Sequence, residues 1–305
     1  YRYLVTCLMY QVKRKGDTMT NHYKAMIAAL GTIAVWATAF PFTRYVVQYI
    51  DPFHLAAVRI CIGAIALYLV SLLRGLRKPR GVEWFYFIIA GITGNIGYQI
   101  LFNMGLQTIP SGTASVLVAL TPLMTALLLR VVFKEIMSIQ GWIYTFTAFL
   151  GVAIVMLWDG IFEVKVGSFL ILIIVMMFSV YNVLMRYFGQ RGYTALDMTT
   201  WSMVMGAILG IPYLPDGFRL IQAMPLEPVA LLVYLGLCSS ALGYGLWSYA
   251  LGTADKASDV LNFLYLSPVV ATIVSFFMLG EVPNGGLCIG GVVILGSLYV
   301  FNKYR

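Results

Sequence analysis

Few side chains inside the apolar stretches of this sequence carry chemistry, and those few are patterned. In GNIGYQILFN, Asn95, Gln99 and Asn103 follow one another at four-residue spacing, which aligns three amides on one helical face. Arg59 is the only charge well inside a predicted span, seven residues after Pro52 and about 10 Å along a helix. Trp36 and Phe40 share a face at i, i+4, Tyr98 precedes Gln99, and Tyr181 with Asn182 occupies a comparable region further on. Tyr244, Trp247 and Asn262 are the analogous candidates in the second half. An apolar cavity with a few convergent polar groups is what small-molecule sites look like, so these twelve residues are the candidate substrate-binding set. Two alternatives stand beside that reading. In lipid an amide row faces other helices or water, as packing glue or as cavity lining. The Arg59 guanidinium either snorkels to the outer interface or reaches inward to an anionic group of a substrate.

Other chemistry lacks its residues. There is no HExxH, no GxSxG and no aspartate-rich cluster, so no catalytic residues are assigned and an enzyme is not expected. No GxxxxGK[ST] phosphate loop supports ATP-driven transport. His54 has no His, Cys or carboxylate at ligand spacing and His22 lies on the N-terminal segment, so neither a metal nor any other cofactor is expected. Cys7, Cys61, Cys238 and Cys288 form no CxxC pair and read as free packing thiols.

The elements that must position the candidates follow from composition. The chain has 305 residues, 61% of them hydrophobic and 10% charged. A soluble domain carries about 25% charged residues, so this chain belongs in a bilayer. A helix crossing roughly 30 Å of hydrocarbon needs about 20 residues. Charge-free stretches of that order cover 25–43, 84–129 (split by a turn at 107–112), 136–158, 166–185, 198–215, 228–254, 260–280 and 282–302, and 52–73 is interrupted only by Arg59. These stretches predict ten spans. Sixteen Lys and Arg fall on one side of that arrangement, against Arg44, Lys165 and Arg219 on the other, which predicts cytoplasmic termini. The +8 charge is thus a topology signal, without the clustered basic surface that nucleic acid needs. Residues 1–18 have no long apolar core and no cleavable signal is expected; Met19 opens MTNHYKAMIAALG, so they read as an upstream extension.

An offset of 146 residues relates the two halves. Gly97 and Tyr98 map onto Gly243 and Tyr244, Leu120 onto Leu266, Pro122 onto Pro268, and Asp51 onto Asp197; with a four-residue slip Arg44-Tyr45 maps onto Arg186-Tyr187. Five spans per half is an odd number, so the second copy enters the membrane inverted, and such repeats enclose a site near the midplane. Pro122 and Pro268 are expected to bend their helices as paired hinges. Glu135 and Glu281 are expected to serve the N-termini of the helices that follow them. Asp51, before Pro52, reads as an N-cap, with Asp197 as its counterpart.

WATAFPFTRYV (36–46), the proline and arginine of PFHLAAVR, the two Pro…Glu helices and LGEVPNGGLCIGGVVILGSLYV (279–300) resemble the EamA-type members of the drug/metabolite transporter superfamily. The resemblance covers about residues 24–302. It implies an all-α polytopic membrane protein whose ten transmembrane helices form two inverted five-helix repeats. The expected division is an N-terminal cytoplasmic segment (1–24), a first repeat (25–158) and a second repeat (166–302). It also implies export of a small metabolite, amino acid or toxic compound across a prokaryotic cell membrane; a lipid or polyprenyl-carrier flippase is the alternative on the same fold. The implied partners are a small-molecule substrate and the lipid bilayer, with a homodimer as an allowed assembly and no nucleic acid. Without a midplane carboxylate, transport down the cargo's own gradient is expected, with Asp259 as an end group for coupling.

Overall fold

A computed structural model describes residues 2–133, 139–158, 166–253 and 262–304, with the side chains of residues 2–22, 133, 156, 157, 248, 251, 252, 262, 265, 298 and 301–304 outside the description. Glu135, Asp259, Lys134, Lys165 and Lys256 lie outside the described residues. The described chain is helical: α1 (Arg2–Val46), α2 (Pro52–Arg74), α3 (Glu83–Gly94), α4 (Ile96–Thr108), α5 (Ser111–Val118), α6 (Thr121–Phe133), α7 (Ile139–Leu157), α8 (Val166–Gly189) and α9 (Ala195–Gly210). A short 3-10 turn leads into α10 (Leu214–Ala223) and α11 (Leu226–Tyr234). A π-helical segment (Leu235–Leu242) joins α11 to α12 (Gly243–Thr253), and α13 (Ser267–Leu279) and α14 (Gly285–Tyr304) complete the chain. Among the described residues seven helical stretches are long and apolar enough to cross a membrane, and Ile139–Val155, Ser267–Leu279 and Gly285–Ser297 are shorter apolar helices. Leu73 and Phe277 are 89% and 82% exposed, a surface suited to lipid tails and costly in water.

Helix ends follow local chemistry. Asp51 caps α2, its carboxylate accepting from the Phe53 and His54 N–H groups, and Pro52 takes the first helical position where no N–H is needed. Asp197 differs from its expected role as a second N-cap. Thr194 is the cap of α9, and Asp197 completes a capping box at the third position while also accepting from the Arg77 N–H at 3.1 Å.

The repeat appears as an exchange of neighbours. α1 packs on α12 and its counterpart α8 on α4; α1 packs on α13 and α8 on α6; α2 packs on the π segment and α9 on α3. Self-related pairs, α2 with α9 and α7 with α14, lie on the pseudo-two-fold. The turn after α2 meets the start of α9 through Arg77 and Asp197, while the end of α13 meets the start of α5 through Glu281 and Ser111. α2 and its counterpart α9 therefore run antiparallel. Small residues let the axes close: a Cβ at Gly91 would meet the Gly206 backbone N at 2.8 Å, and one at Gly290 the Gly151 carbonyl at 2.7 Å.

Both halves interrupt their helices at matched positions. α6 and α13 each have 13 residues and start 146 positions apart, with Pro122 and Pro268 in their second positions. The expectation of prolines bending continuous helices is corrected: each proline opens a new helix, after a break at Ala119–Leu120 in one half and a 3-10 turn (Asn262–Leu266) in the other. At a helix start the missing N–H costs nothing, so the break precedes the proline. Asn95 leaves helical geometry at φ −128°, ψ −96° between α3 and α4, and the π segment 235–242 occupies the positions matched to 89–96.

Candidate functional site

The two interruptions bring the polar residues together. In the π segment the Gly243 N–H bonds back to the Cys238 carbonyl, one residue further than in an α-helix. The Ser239 carbonyl accepts the Trp36 indole N–H at 3.0 Å. A side chain at Gly243 would collide with that indole, so glycine is required for Trp36 of α1 to come this close.

Arg59 lies on the α2 face that meets the π segment. Its guanidinium is 3% exposed, which excludes the snorkelling reading. Nε donates to Ser240 Oγ at 3.2 Å, Nη2 to Ser239 Oγ at 2.9 Å and Nη1 to Thr43 Oγ1 at 3.3 Å. Gly63, one turn along α2, allows this approach, since a Cβ there would meet Ser240 Cβ at 2.8 Å. Tyr98 and Tyr244 lie close enough to interact electrostatically with the guanidinium.

On α3–α4, Asn95, Gln99 and Asn103 are 1%, 3% and 0% exposed, so none of the row faces bulk water. Asn103 donates to the Pro52 carbonyl at 3.0 Å, a helix-joining contact. Both amide atoms of Asn95, Gln99 Oε1 and Asn103 Oδ1 have no hydrogen-bond partner among the described residues.

The aromatic candidates form two groups that reach across the repeat boundary. Trp36 meets Tyr244 edge-on at 5.3 Å and Trp247 at 5.4 Å, and the Tyr244 hydroxyl donates to the Gly94 carbonyl beside the α3–α4 break. Tyr98 packs on Phe178, which stacks on Tyr181, and Phe40 packs edge-on against Phe102. Asn182 stands apart, donating to Thr125 Oγ1 at 3.1 Å. Asn262 opens the 3-10 turn, its side chain outside the description.

A second polar cluster, missed from sequence, closes one end of the bundle. Arg44 donates to the Leu106 and Ile109 carbonyls at 2.6 Å each and ion-pairs with Glu281. Glu281 Oε2 accepts the Ser111 N–H at 2.9 Å. Glu281 therefore serves the N-terminus of α5 in the other repeat; Asn284 caps its own following helix through the Leu287 N–H. A cavity of about 370 Å³ bordered by Arg44, Gln48, Leu106 and Gln107 opens at this end. Gln107, Arg44 and Glu281 were each legible as residues, and only their convergence was hidden. Thr43, Ser239 and Ser240 were missed because serines and threonines in apolar helices mostly bond their own turn. His54 contacts the Asp51 carboxylate, and no group of three metal-ligating side chains occurs among the described residues.

The model of the EamA-like transporter family matches residues 23–157 and again 165–303. A "probable terminal-alkyne amino-acid exporter" of Streptantibioticus cattleyicolor is 31% identical over 280 residues, covering 92% of this chain and 94% of the relative. The "uncharacterized transporter YdfC" of Bacillus subtilis is 30% identical over 275 residues, 90% of this chain and 89% of the relative. One crystal structure, 21% identical, superposes with a TM-score of 0.61 over 92% of this chain and 96% of its own, a likeness of fold.

Proposed function

Because this chain belongs to the EamA-like transporter family and is a polytopic membrane transporter, we propose that it exports a small metabolite by alternating access between its two repeats. In this reading all ten apolar helical segments cross the cell membrane, and both termini are cytoplasmic. The substrate-binding set is Trp36, Phe40, Arg59, Asn95, Tyr98, Gln99, Asn103, Tyr181, Asn182, Tyr244, Trp247 and Asn262. The observation that carries it is the pair of helix interruptions at matched positions, Asn95 and Leu235–Leu242, with Tyr244 reaching the Gly94 carbonyl beside the first and Arg59 held by Ser239 and Ser240 of the second. Discontinuous helices at a repeat interface expose backbone groups where a substrate can use them.

Alternation needs two arrangements of similar energy. The exchanged packing supports this, since the main helix pairings made by one repeat have counterparts made by the other. Pro122 and Pro268, at the restarts of α6 and α13, are the proposed hinges; the Arg44–Glu281 network closes the end where the α4–α5 and α13–α14 turns meet. The relative named as an amino-acid exporter supports small soluble cargo, and the flippase alternative is not favoured.

The test is efflux from proteoliposomes loaded with a cytosolic metabolite extract, read by mass spectrometry, beside thiol labelling of single cysteines placed in successive connections. Loss of defined soluble compounds, with labelling that alternates from side to side and opposite orientations in the two halves, is the expected result. Movement of lipid headgroups alone, or equal orientation of both halves, would refute the proposal.

A further inference from the structure

Two turns from different repeats, 75–82 after α2 and 190–194 after α8, meet at the C-terminal end of α2. Arg77 joins them: its N–H donates to Asp197 Oδ1, its Nη1 to the Arg191 carbonyl at 2.8 Å, and its carbonyl accepts the Trp201 indole N–H. Its guanidinium also covers the Tyr193 ring at 4.2 Å, and Arg80 is close enough to act on Tyr193 electrostatically. The Arg191 guanidinium lies over the Tyr187 ring at 3.6 Å, and the Lys78 carbonyl accepts the Tyr193 hydroxyl. Arg77, Lys78, Arg80 and Arg191 are all exposed. The two acids of the junction leave these charges unneutralised, because their oxygens hold other donors. Asp197 accepts from the Arg77 and Thr194 N–H groups and the Thr194 hydroxyl, and Glu83 Oε2 from the Arg80 N–H and the Tyr193 hydroxyl. Among the described residues none of the four cationic groups forms an ion pair.

What flanks this cluster is apolar and faces outward. Leu73, at the end of α2, and Val82 and Phe85, at the start of α3, are 89%, 70% and 59% exposed. A charged rim beside a lipid-facing apolar wall matches the two ends of a phospholipid. We propose that the junction of the α2–α3 and α8–α9 turns binds the phosphate headgroup of an anionic phospholipid, which bridges the two repeats at this end. Guanidinium forks suit phosphate oxygens, and basic pockets between membrane helices hold such headgroups. Stacking on Tyr193 and Tyr187 already restricts Arg77 and Arg191, so little side-chain freedom is lost on binding. A zwitterionic lipid brings a cation of its own into the cluster and is disfavoured, and a free phosphate leaves the apolar wall unused. The site lies away from the buried Arg59 cluster and holds whatever the cargo is.

The test uses the intact protein in detergent micelles, titrated with dioleoylphosphatidylglycerol or dioleoylphosphatidylcholine, with bound lipid counted by native mass spectrometry. Each basic residue near a membrane surface contributes roughly a factor of five in affinity. The phosphatidylglycerol is therefore expected to bind at least about twenty-five-fold more tightly than the phosphatidylcholine at low salt, and Arg80→Gln with Arg191→Gln to bring the two lipids close together. Lys24→Gln with Arg219→Gln removes the same charge from exposed positions elsewhere and is expected to leave the preference within about twofold. Equal affinity for the two lipids in the unaltered protein overturns the proposal. Equal loss in both double variants also overturns it, since attraction to net charge would then suffice. Displacement of the bound lipid by an equal concentration of inorganic phosphate assigns the site to a free anion and overturns the lipid. Salt dependence of the unaltered protein needs no variant: the preference should shrink in molar sodium chloride, and its persistence there refutes an exposed charge cluster as the cause.

Discussion

Removing the charge of Glu281 isolates the contact that joins the two repeats at one end. In Glu281→Gln the amide oxygen still accepts the Ser111 N–H, so the cap on α5 survives while the ion pair to Arg44 is lost. The two side chains are 26% and 15% exposed, between the exposed and the fully buried case. Exposed pairs contribute about 0–1 kcal/mol and breaking a buried pair costs about 3–5 kcal/mol, which places this substitution near 2 kcal/mol. Glu281→Ala also removes the cap and is expected to cost about 1 kcal/mol more. Arg44→Gln loses the same pair plus its bonds to the Leu106 and Ile109 carbonyls, about 2–3 kcal/mol. The double variant should then be little worse than Arg44→Gln alone, a coupling of roughly 1.5–2 kcal/mol. Unfolding in mixed micelles, followed by tryptophan fluorescence, measures these differences. A cysteine at Thr113, in the small cavity beside Glu281, reports opening of this end through its rate of labelling by an impermeant maleimide. Additive single and double effects, or unchanged labelling in Glu281→Gln, would refute the view that this pair ties the repeats together.

Gly91→Ala is expected to destabilise the fold by about 1–3 kcal/mol, because the added Cβ meets backbone of Gly206 and Ser202 that cannot move aside; thermal unfolding checks it. Gly296→Ala is the control: its Cβ would meet nothing within 4 Å, so a gain of up to about 1 kcal/mol is expected. Asp51→Ala should cost about 1 kcal/mol through the lost cap on α2, and Asp51→Ser should recover most of it in the same measurement. Burial, followed by the hydrogen bond to Glu83, pushes the Tyr193 hydroxyl up to about 12. Its neutral form therefore contributes stability that is full below pH of about 10, the ordinary tyrosine value, and is lost as pH rises toward 12. Tyr193→Phe should flatten that part of the alkaline loss in a stability–pH titration.

Membrane residence, helix content and duplication were legible in the sequence because they depend on composition, on the length of uncharged runs and on residues recurring at a fixed offset. Residue type likewise marked Arg59, the amide row and the aromatic candidates, since polar side chains are conspicuous in an apolar background. Their partners were not legible. The π segment adds one residue to a helical turn, and that shift in register brings Ser239 and Ser240 to Arg59 and the Ser239 carbonyl to Trp36.

The same division separates the end groups. The sequence by itself determined that Asp51 caps a helix and that prolines and glutamates recur at matched positions, since these rest on neighbours along the chain. Only the tertiary structure decided that Glu281 serves α5 of the other repeat, that Asp197 belongs to a capping box, and that the helices break ahead of their prolines. It also decided that Arg59 is buried among hydroxyls. Contacts within one turn are fixed by short-range geometry, whereas the partner of a side chain between helices depends on how two antiparallel copies fit together.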